Sequence, residues 1–301
     1  MWGSSDSLSS DFRNATALIL GSPAQQPVKP LEPQHEPKKD ALACLSDVRD
    51  RSPFSSRNTS KGALVEEIFG IFHAVRKGLP LENVRKGILD GEILRKSSFE
   101  TRRKIMNAVS HRYFWPQSEW TVRSLAQATE GGVRSPAFVS LAYLYYALRD
   151  RLTFEFIVGP VWERWRNRST SLSSAEFLAF LEEQSINEPL IKKWRESTRN
   201  KLASNALTAL REFGLLHGIY SKQIQKPATS PETTFHLLCV LLAEGQEGRS
   251  VVEAPDWRLF LWSESEVAHA LGELSQKRWI RFEKSGRTVM LELVRQPEVT
   301  E

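Results

Sequence analysis

Between Lys61 and Gly214 apolar residues recur at helical spacing, and the stretches that carry them are punctuated by proline, glycine and serine. That period commits this half of the chain to helices, because a helix gathers residues three and four apart onto one face. Leu64, Ile68, Ile71 and Val75 form the first stripe, stopped by Gly78-Leu79-Pro80. Leu81, Val84 and Ile88 predict a second helix running to about Leu94. Ser97 or Ser98 caps a third over residues 99–114, with Met106, Val109 and Tyr113 on its inner face. Residues 115–134 are less regular. Pro136 introduces an apolar helix to Asp150, and the next runs through Arg168 with a break at Pro160. Ser173 and Glu176 form a capping box before Phe177, Phe180 and Leu181; Pro189 precedes a long helix that ends at Gly214.

The two ends differ from this core. Pro27, Pro30, Pro33 and Pro37 cannot lie inside a helix, since each lacks a donor and crowds the preceding turn. Residues 1–60 therefore read as a flexible Pro-rich arm with one short apolar run at 15–20, a proline-ligand role being the alternative. Past Lys226-Pro227 a helix over 231–244 is followed by one that Ser263 and Glu266 open and that carries Val267, Leu271 and Leu274. Residues 280–282 and 289–293 then alternate around Lys284-Ser285-Gly286-Arg287, a hairpin signal. The expected architecture is mainly α. An arm (1–60) leads into a helical bundle (61–226) with a helix-turn-helix element at about 81–114, and a winged-helix-like acidic domain with a β-hairpin (227–301) closes the chain.

Charge is sorted unevenly. Residues 85–114 carry eight Lys/Arg against three acids and residues 192–230 eight against two, balances of +5 and +6; the whole chain is only +5, so the remainder sums to −6. Polyanions read such fields, and nucleic acid is the first partner they imply. In the first island Arg103, Asn107 and His111 follow one another at i, i+4 and i+8 and share a ridge, flanked by Arg102 and Lys104, with Arg95 and Lys96 in the tight turn before them. Arg and Asn pair with base edges, while Lys and Arg neutralise phosphates. In the second, Lys192, Lys193, Arg195, Arg199 and Lys201 crowd the start of the long helix, where cations oppose the helix dipole and a phosphate would favour them. The alternative for both islands is a solvated helical face, with Trp194 packing beneath the second. Residues 231–277 hold eight acids against three bases, and Glu264, Glu266 and Glu273 on the last helix would repel phosphate. That end reads as a protein-docking module, although Lys284 and Arg287 at the hairpin turn remain able to touch a backbone.

Several classes are excluded. The N-terminus lacks the apolar run of a secretory signal, and the longest nearly apolar stretch, 137–148, is about half of what spans a bilayer. Cys44 and Cys239 have no partner pattern, which fits a reducing cytoplasm. No P-loop, dinucleotide fingerprint or metal-ligand spacing occurs; Glu66-Glu67 and Glu182-Glu183 are adjacent on helices and point apart. No enzyme, cofactor or metal is expected.

Four segments in order carry a family resemblance: Lys61-Gly-Ala-Leu-Val-Glu-Glu-Ile; Gly91-Glu-Ile-Leu-Arg-Lys-Ser-Ser-Phe-Glu-Thr-Arg-Arg-Lys-Ile; Ser171-Leu-Ser-Ser-Ala-Glu-Phe-Leu-Ala-Phe-Leu-Glu-Glu; and Trp194-Arg-Glu-Ser-Thr-Arg-Asn-Lys-Leu followed by Phe213-Gly-Leu-Leu. Over about 61–216 the chain resembles the BrxA family of BREX bacteriophage-resistance systems. The resemblance implies a NusB-like helical core with a helix-turn-helix, double-stranded DNA binding without catalysis, and methyltransferase, phosphatase-like and ATPase partners. Members have been labelled inner-membrane proteins, which the lack of a spanning segment here opposes. By position, Arg102, Arg103 and Lys104 fall in the family's Arg-rich helix, and Arg195, Arg199 and Lys201 in its Trp-x-x-Ser-Thr-Arg-type segment. The function expected is a non-enzymatic DNA-binding accessory component of phage defence; the alternatives are a protein-interaction scaffold and a NusB-like RNA binder.

Overall fold

The computed structural model describes Leu42 and residues 45–59, 61–114 and 119–297. Residues Lys38–Glu301 form one compact unit. The proline run and the apolar run at 15–20 lie outside the described residues.

The centre of the fold is helix α5, Pro136–Leu148. Its sequence holds no charged residue and is apolar all round, so it must be covered on every side. Every residue from Ser140 to Leu148 is buried. The Ser135 hydroxyl accepts from the Phe138 amide at 3.2 Å and Pro136 fills the first helical position, which sets where the helix begins. Around it come α1 (Val65–Arg76), α2 (Leu81–Asp90), α3 (Phe99–Val109) and α4 (Glu119–Ala128) on the N-terminal side.

Next, α6 (Arg151–Phe156) runs through a π turn, Ile157–Val161, into α7 (Trp162–Arg166). Pro160 sits inside that wide turn, which is how the helix accommodates the missing donor and forms the expected break. Helices α8 (Ser174–Gln184) and α9 (Glu196–Glu212) pack on each other. The capping box at the start of α8 forms as the sequence predicts, with the Glu176 carboxylate accepting from the Ser173 amide at 2.8 Å.

A second helix, α10 (Pro231–Ala243), buried from Thr233 to Leu241, packs directly on α5. Ser140 and Thr233 join their hydroxyls at 2.7 Å, Tyr145 hydrogen-bonds His236 Nδ1 at 2.7 Å, and Tyr143 donates to the Leu259 carbonyl at 2.9 Å. Residues 227–297 therefore share the core of the preceding helices. They continue as α11 (Arg249–Glu253), a 3-10 turn (Pro255–Phe260), α12 (Glu264–Gln276) and a hairpin of β4 (Ile280–Ser285) and β5 (Thr288–Leu293). The hairpin closes through Gly286 and Arg287, with Ser285 opposite Thr288 and Gly286 at φ 57°. Cys239 is buried in α10, and burial raises its thiol pKa, which leaves it inert.

Three features depart from the periodic reading. Helix α2 stops at Asp90, not near Leu94, because Gly91 takes a left-handed φ of 85° and caps it. The link to α3 is thus residues 91–98, longer than the tight turn expected at 95–98. A three-stranded antiparallel sheet was not expected: β1 (Ser171–Leu172), β2 (Leu216–His217) and β3 (Lys222–Ile224) pair in the order β1-β3-β2. Strands of two or three residues are too short to show a period of two. Finally, within the segment read as an arm, Leu45, Val48 and Phe54 are buried in the core.

Arg49 fastens that segment. Its guanidinium lies 2.8 Å from Glu244, also pairs with Asp256, and covers the Phe154 ring at 4.8 Å. Both carboxylates are nearly inaccessible, at 8% and 5% side-chain exposure. Arg49→Ala leaves two buried carboxylates without this partner and is expected to lower unfolding free energy by about 3 kcal/mol in urea denaturation. A loss within error would mean that the segment does not depend on Arg49.

Candidate nucleic-acid interface

On α3 the apolar face, Ile105, Met106 and Val109, is buried, which leaves Arg103, Lys104 and Asn107 exposed on the other side as expected. Arg103 and Lys104 share one carboxylate, Glu100, at 2.9 and 3.6 Å. The hydrogen bond from Arg103 holds the Glu100 pKa below its ordinary value, and the trio retains one net positive charge. Arg95 is exposed, whereas Lys96 pairs with Glu67 of α1 at 2.9 Å.

Arg102 faces the protein instead. Its Nε donates to the Leu89 carbonyl at 2.7 Å and its Nη1 to the Lys96 carbonyl at 2.5 Å. Leu89 is among the last residues of α2, whose carbonyls lack helical partners and carry the negative end of the dipole. Arg102 is therefore the clasp that joins α2, its link and α3.

His111 leaves the ridge predicted at i, i+4 and i+8. The helix widens into a π turn over Ser110–Phe114, and the extra residue rotates everything that follows. His111 becomes half-buried, with its imidazole against the Arg57 guanidinium and 3.8 Å from Asp50. Its carbonyl accepts from Arg149 Nε at 3.1 Å. Burial, and then the charges of Arg57 and Arg149, lower its pKa to about 4 against the opposing pull of Asp50. At neutral pH it is an uncharged acceptor for Arg57.

The second island also divides. Lys192 and Lys193 sit on a 3-10 turn, Ile191–Lys193; Trp194 is extended, and Arg195 is the N-cap of α9. The helix begins only at Glu196, whose carboxylate suits the dipole. The long helix expected from Pro189 is thus broken, and these cations are less opposed to the dipole than the sequence implied. Arg199 bonds Glu182 at 3.1 Å and the Ile191 carbonyl at 3.1 Å, so it fastens the turn to α8. Lys192, Lys193, Arg195 and Lys201 are exposed and make no ion pair among the described residues. Arg211 lies ten residues further along α9, about 15 Å away, and Lys226 pairs with Glu266. The +6 of this stretch therefore occupies separate places.

A single segment connects the islands. Arg112, buried at the end of the π turn, donates to Asn58 Oδ1 at 2.7 Å and the Gly62 carbonyl at 2.8 Å. Asn205 of α9 donates to the carbonyls of Asn58 and Thr59 at 3.0 and 2.8 Å. Lys201 lies one turn before Asn205 on the same side of α9. Arg57, exposed on the turn Arg57–Thr59, belongs to this border. Sequence reasoning missed it because it falls in the segment read as an arm.

At the other end of the molecule the acids of α12 have basic side chains beside them. Lys284 of the hairpin reaches Glu264 of α12 at 2.6 Å, and His269 lies 3.4 Å from Glu273. Among the described residues no three His, Cys, Asp or Glu side chains gather as a metal site, and no helix is long and apolar enough to cross a membrane.

The sequence profile of BrxA matches residues 52–238, more than half of the chain. The chain belongs to the BrxA family. Membership associates it with BREX phage defence, and the matched span contains both basic islands and the segment that joins them. A crystal structure of an uncharacterized protein from Magnetospirillum magneticum is similar over 70% of this chain and 100% of its own, with 15% identity and a TM-score of 0.53. At that identity the likeness speaks for the fold alone. No curated protein matches the chain.

The His111 environment yields a pH dependence. Its folded pKa of about 4 lies below its unfolded value near 6.5, so the folded state binds fewer protons between them. Its contribution to stability is complete above pH 6.5 and is lost as pH falls toward 4. His111→Gln is expected to flatten urea stability across that window, and NMR titration of wild type should place the imidazole near 4. An imidazole titrating near 6.5 would contradict this environment.

Proposed function

We propose that this protein is a non-enzymatic accessory component of a BREX-type antiviral system that binds double-stranded DNA. The observation that carries the reading is that Lys192, Lys193, Arg195 and Lys201, and Arg95 before α3, are exposed and make no ion pair among the described residues. Unpaired cations bring no internal desolvation debt and release counterions from DNA when they meet phosphates. Arg103 and Asn107 of α3 supply the side-chain types that address base edges, and α2 with α3 acts as the helix-turn-helix element of a NusB-like core. Lys96, Arg102, Arg199 and His111 support the surface from behind.

The C-terminal helices and hairpin are taken as a winged-helix-like module that docks protein. Its acids Glu264, Glu266 and Glu273, the first two paired with Lys284 and Lys226, belong to an acidic end that suits the methyltransferase, phosphatase-like or ATPase components of the system. A scaffold whose basic faces meet acidic proteins is the second reading, favoured by that acidic end; it predicts weak DNA binding with firm co-purification of partners. An RNA-binding reading predicts that RNA displaces the duplex.

The test is fluorescence anisotropy with a random-sequence duplex across a salt series, with RNA and single-stranded DNA as competitors. If six to ten phosphates are contacted, affinity should fall by about 10³–10⁵ between 50 and 200 mM salt. Reversing Lys192, Lys193, Arg195 and Lys201 to Glu should weaken binding and reduce the salt slope by about 0.9 for each phosphate no longer neutralised. Arg102→Ala should lower stability first. Unchanged DNA binding in the folded quadruple variant would remove the second island from the interface.

A further inference from the structure

Ile186, Pro189 and Leu190 stand exposed on the connection between α8 and α9, Ile186 at 74% and Leu190 at 43%. Isolated exposed apolar side chains are common, so exposure alone decides nothing. The setting of these three is different. The connection is built of successive tight turns: the Ile186 amide donates to the Glu183 carbonyl at 3.2 Å and the Lys193 amide to the Leu190 carbonyl at 3.1 Å. Ser185 and Ile191 anchor it by burial. Arg151 grips Glu188 at 2.7 Å, and Arg199 grips both Glu182 and the Ile191 carbonyl. The turn is thus held at several points while its apolar side chains face outward.

Charge selects the partner. Lys192, Lys193 and Arg195 follow Leu190 within five residues and are exposed without ion pairs among the described residues. Of the acids beside the apolar group, Glu182 and Glu188 pair with Arg199 and Arg151, and Glu183 is exposed, so the three cations outnumber the one acid that makes no ion pair among the described residues. The result is a small apolar tip with cations on its flank. A lipid surface shares this chemistry, but interfacial anchors bury a whole apolar helix face, and three side chains on one turn are too few. A narrow tip suits the minor groove, about 6 Å wide, where apolar side chains part base steps while Lys and Arg hold the phosphates beside them.

We propose that the α8–α9 connection is a wedge for the minor groove of duplex DNA, with Ile186 and Leu190 entering a base step and Lys192, Lys193 and Arg195 binding the adjacent phosphates. The proposal rests on the duplex-binding reading above and adds a deformation that charge alone does not produce. Pyrimidine–purine steps unstack most easily, so the wedge favours them without reading a base edge.

The experiment uses the full chain, an end-labelled duplex with a central TA step, and anisotropy with energy transfer between the ends. Wild type should bend the duplex by roughly 20–90°. The double variant Ile186→Ser, Leu190→Ser changes only exposed positions; it should bind about tenfold more weakly, lose the bend and keep the salt slope. Lys192→Glu with Lys193→Glu should instead reduce the slope. Binding without bending, or bending unchanged in the serine variant, overturns the wedge and leaves duplex binding standing. No duplex binding by wild type overturns both. Flotation with vesicles of phosphatidylserine and phosphatidylcholine supplies the remaining arm: wild-type binding that the serine variant loses would assign the tip to a lipid surface and overturn the proposal.

Discussion

Everything in this molecule is arranged around a helix that cannot touch water. From Ser140 to Leu148 each residue of α5 is buried, three of them tyrosines whose hydroxyls must be accommodated in the interior. Each buried aromatic or aliphatic side chain contributes about 1.5–3 kcal/mol, but an unmet hydroxyl returns much of that gain. Tyr143 and Tyr145 therefore direct the packing as well as fill it, one fixing the Leu259 carbonyl and the other His236. Both partners belong to the C-terminal part, which is why residues 227–297 share a core with the bundle. The stacking of Trp120 on His236, ring centroids 3.7 Å apart, brings α4 to the same junction.

Arginine has two separate duties on this scaffold. Arg49, Arg102, Arg112, Arg149 and Arg199 bind carbonyls or carboxylates of neighbouring elements and act as clasps. Their fork of fixed donors suits chain crossings, where several acceptors converge. Lys192, Lys193 and Lys201 project into solvent instead. A count of positive charge along the chain cannot separate clasps from solvent-facing cations, because both raise the local balance equally. Only the direction in which each side chain points makes the distinction, and the clasps keep the exposed cations in register.

The sequence is informative where physics is local. Helix stripes at 64–75, the caps at Ser98, Ser173 and Ser263, the break at Pro160 and the turn at Gly286 depend on neighbours within a few residues, and each is present. The errors arise where distant groups decide. Gly91 ends α2 early, although Glu92–Leu94 continue a plausible stripe. The π turn at Ser110–Phe114 shifts the phase and carries His111 off the ridge, a change that no periodicity announces. Arg102 turns toward the protein because its acceptors, the carbonyls of Leu89 and Lys96, come together only once the link has folded. Ile186 and Leu190 resemble core residues in sequence, and the tight turns between them turn them outward.

The central claim is that α3, the turn at Arg57–Thr59 and the start of α9 meet duplex DNA while the acidic end does not. Amide hydrogen exchange of the full chain with and without saturating duplex reads both halves of that claim at once. The account predicts slowed exchange at residues 95–107, around 57–62 and over 186–201, with α12 and the β4–β5 hairpin unchanged. Slowed exchange concentrated on α12 and the hairpin, with α3, the turn and the start of α9 unaffected, would contradict it.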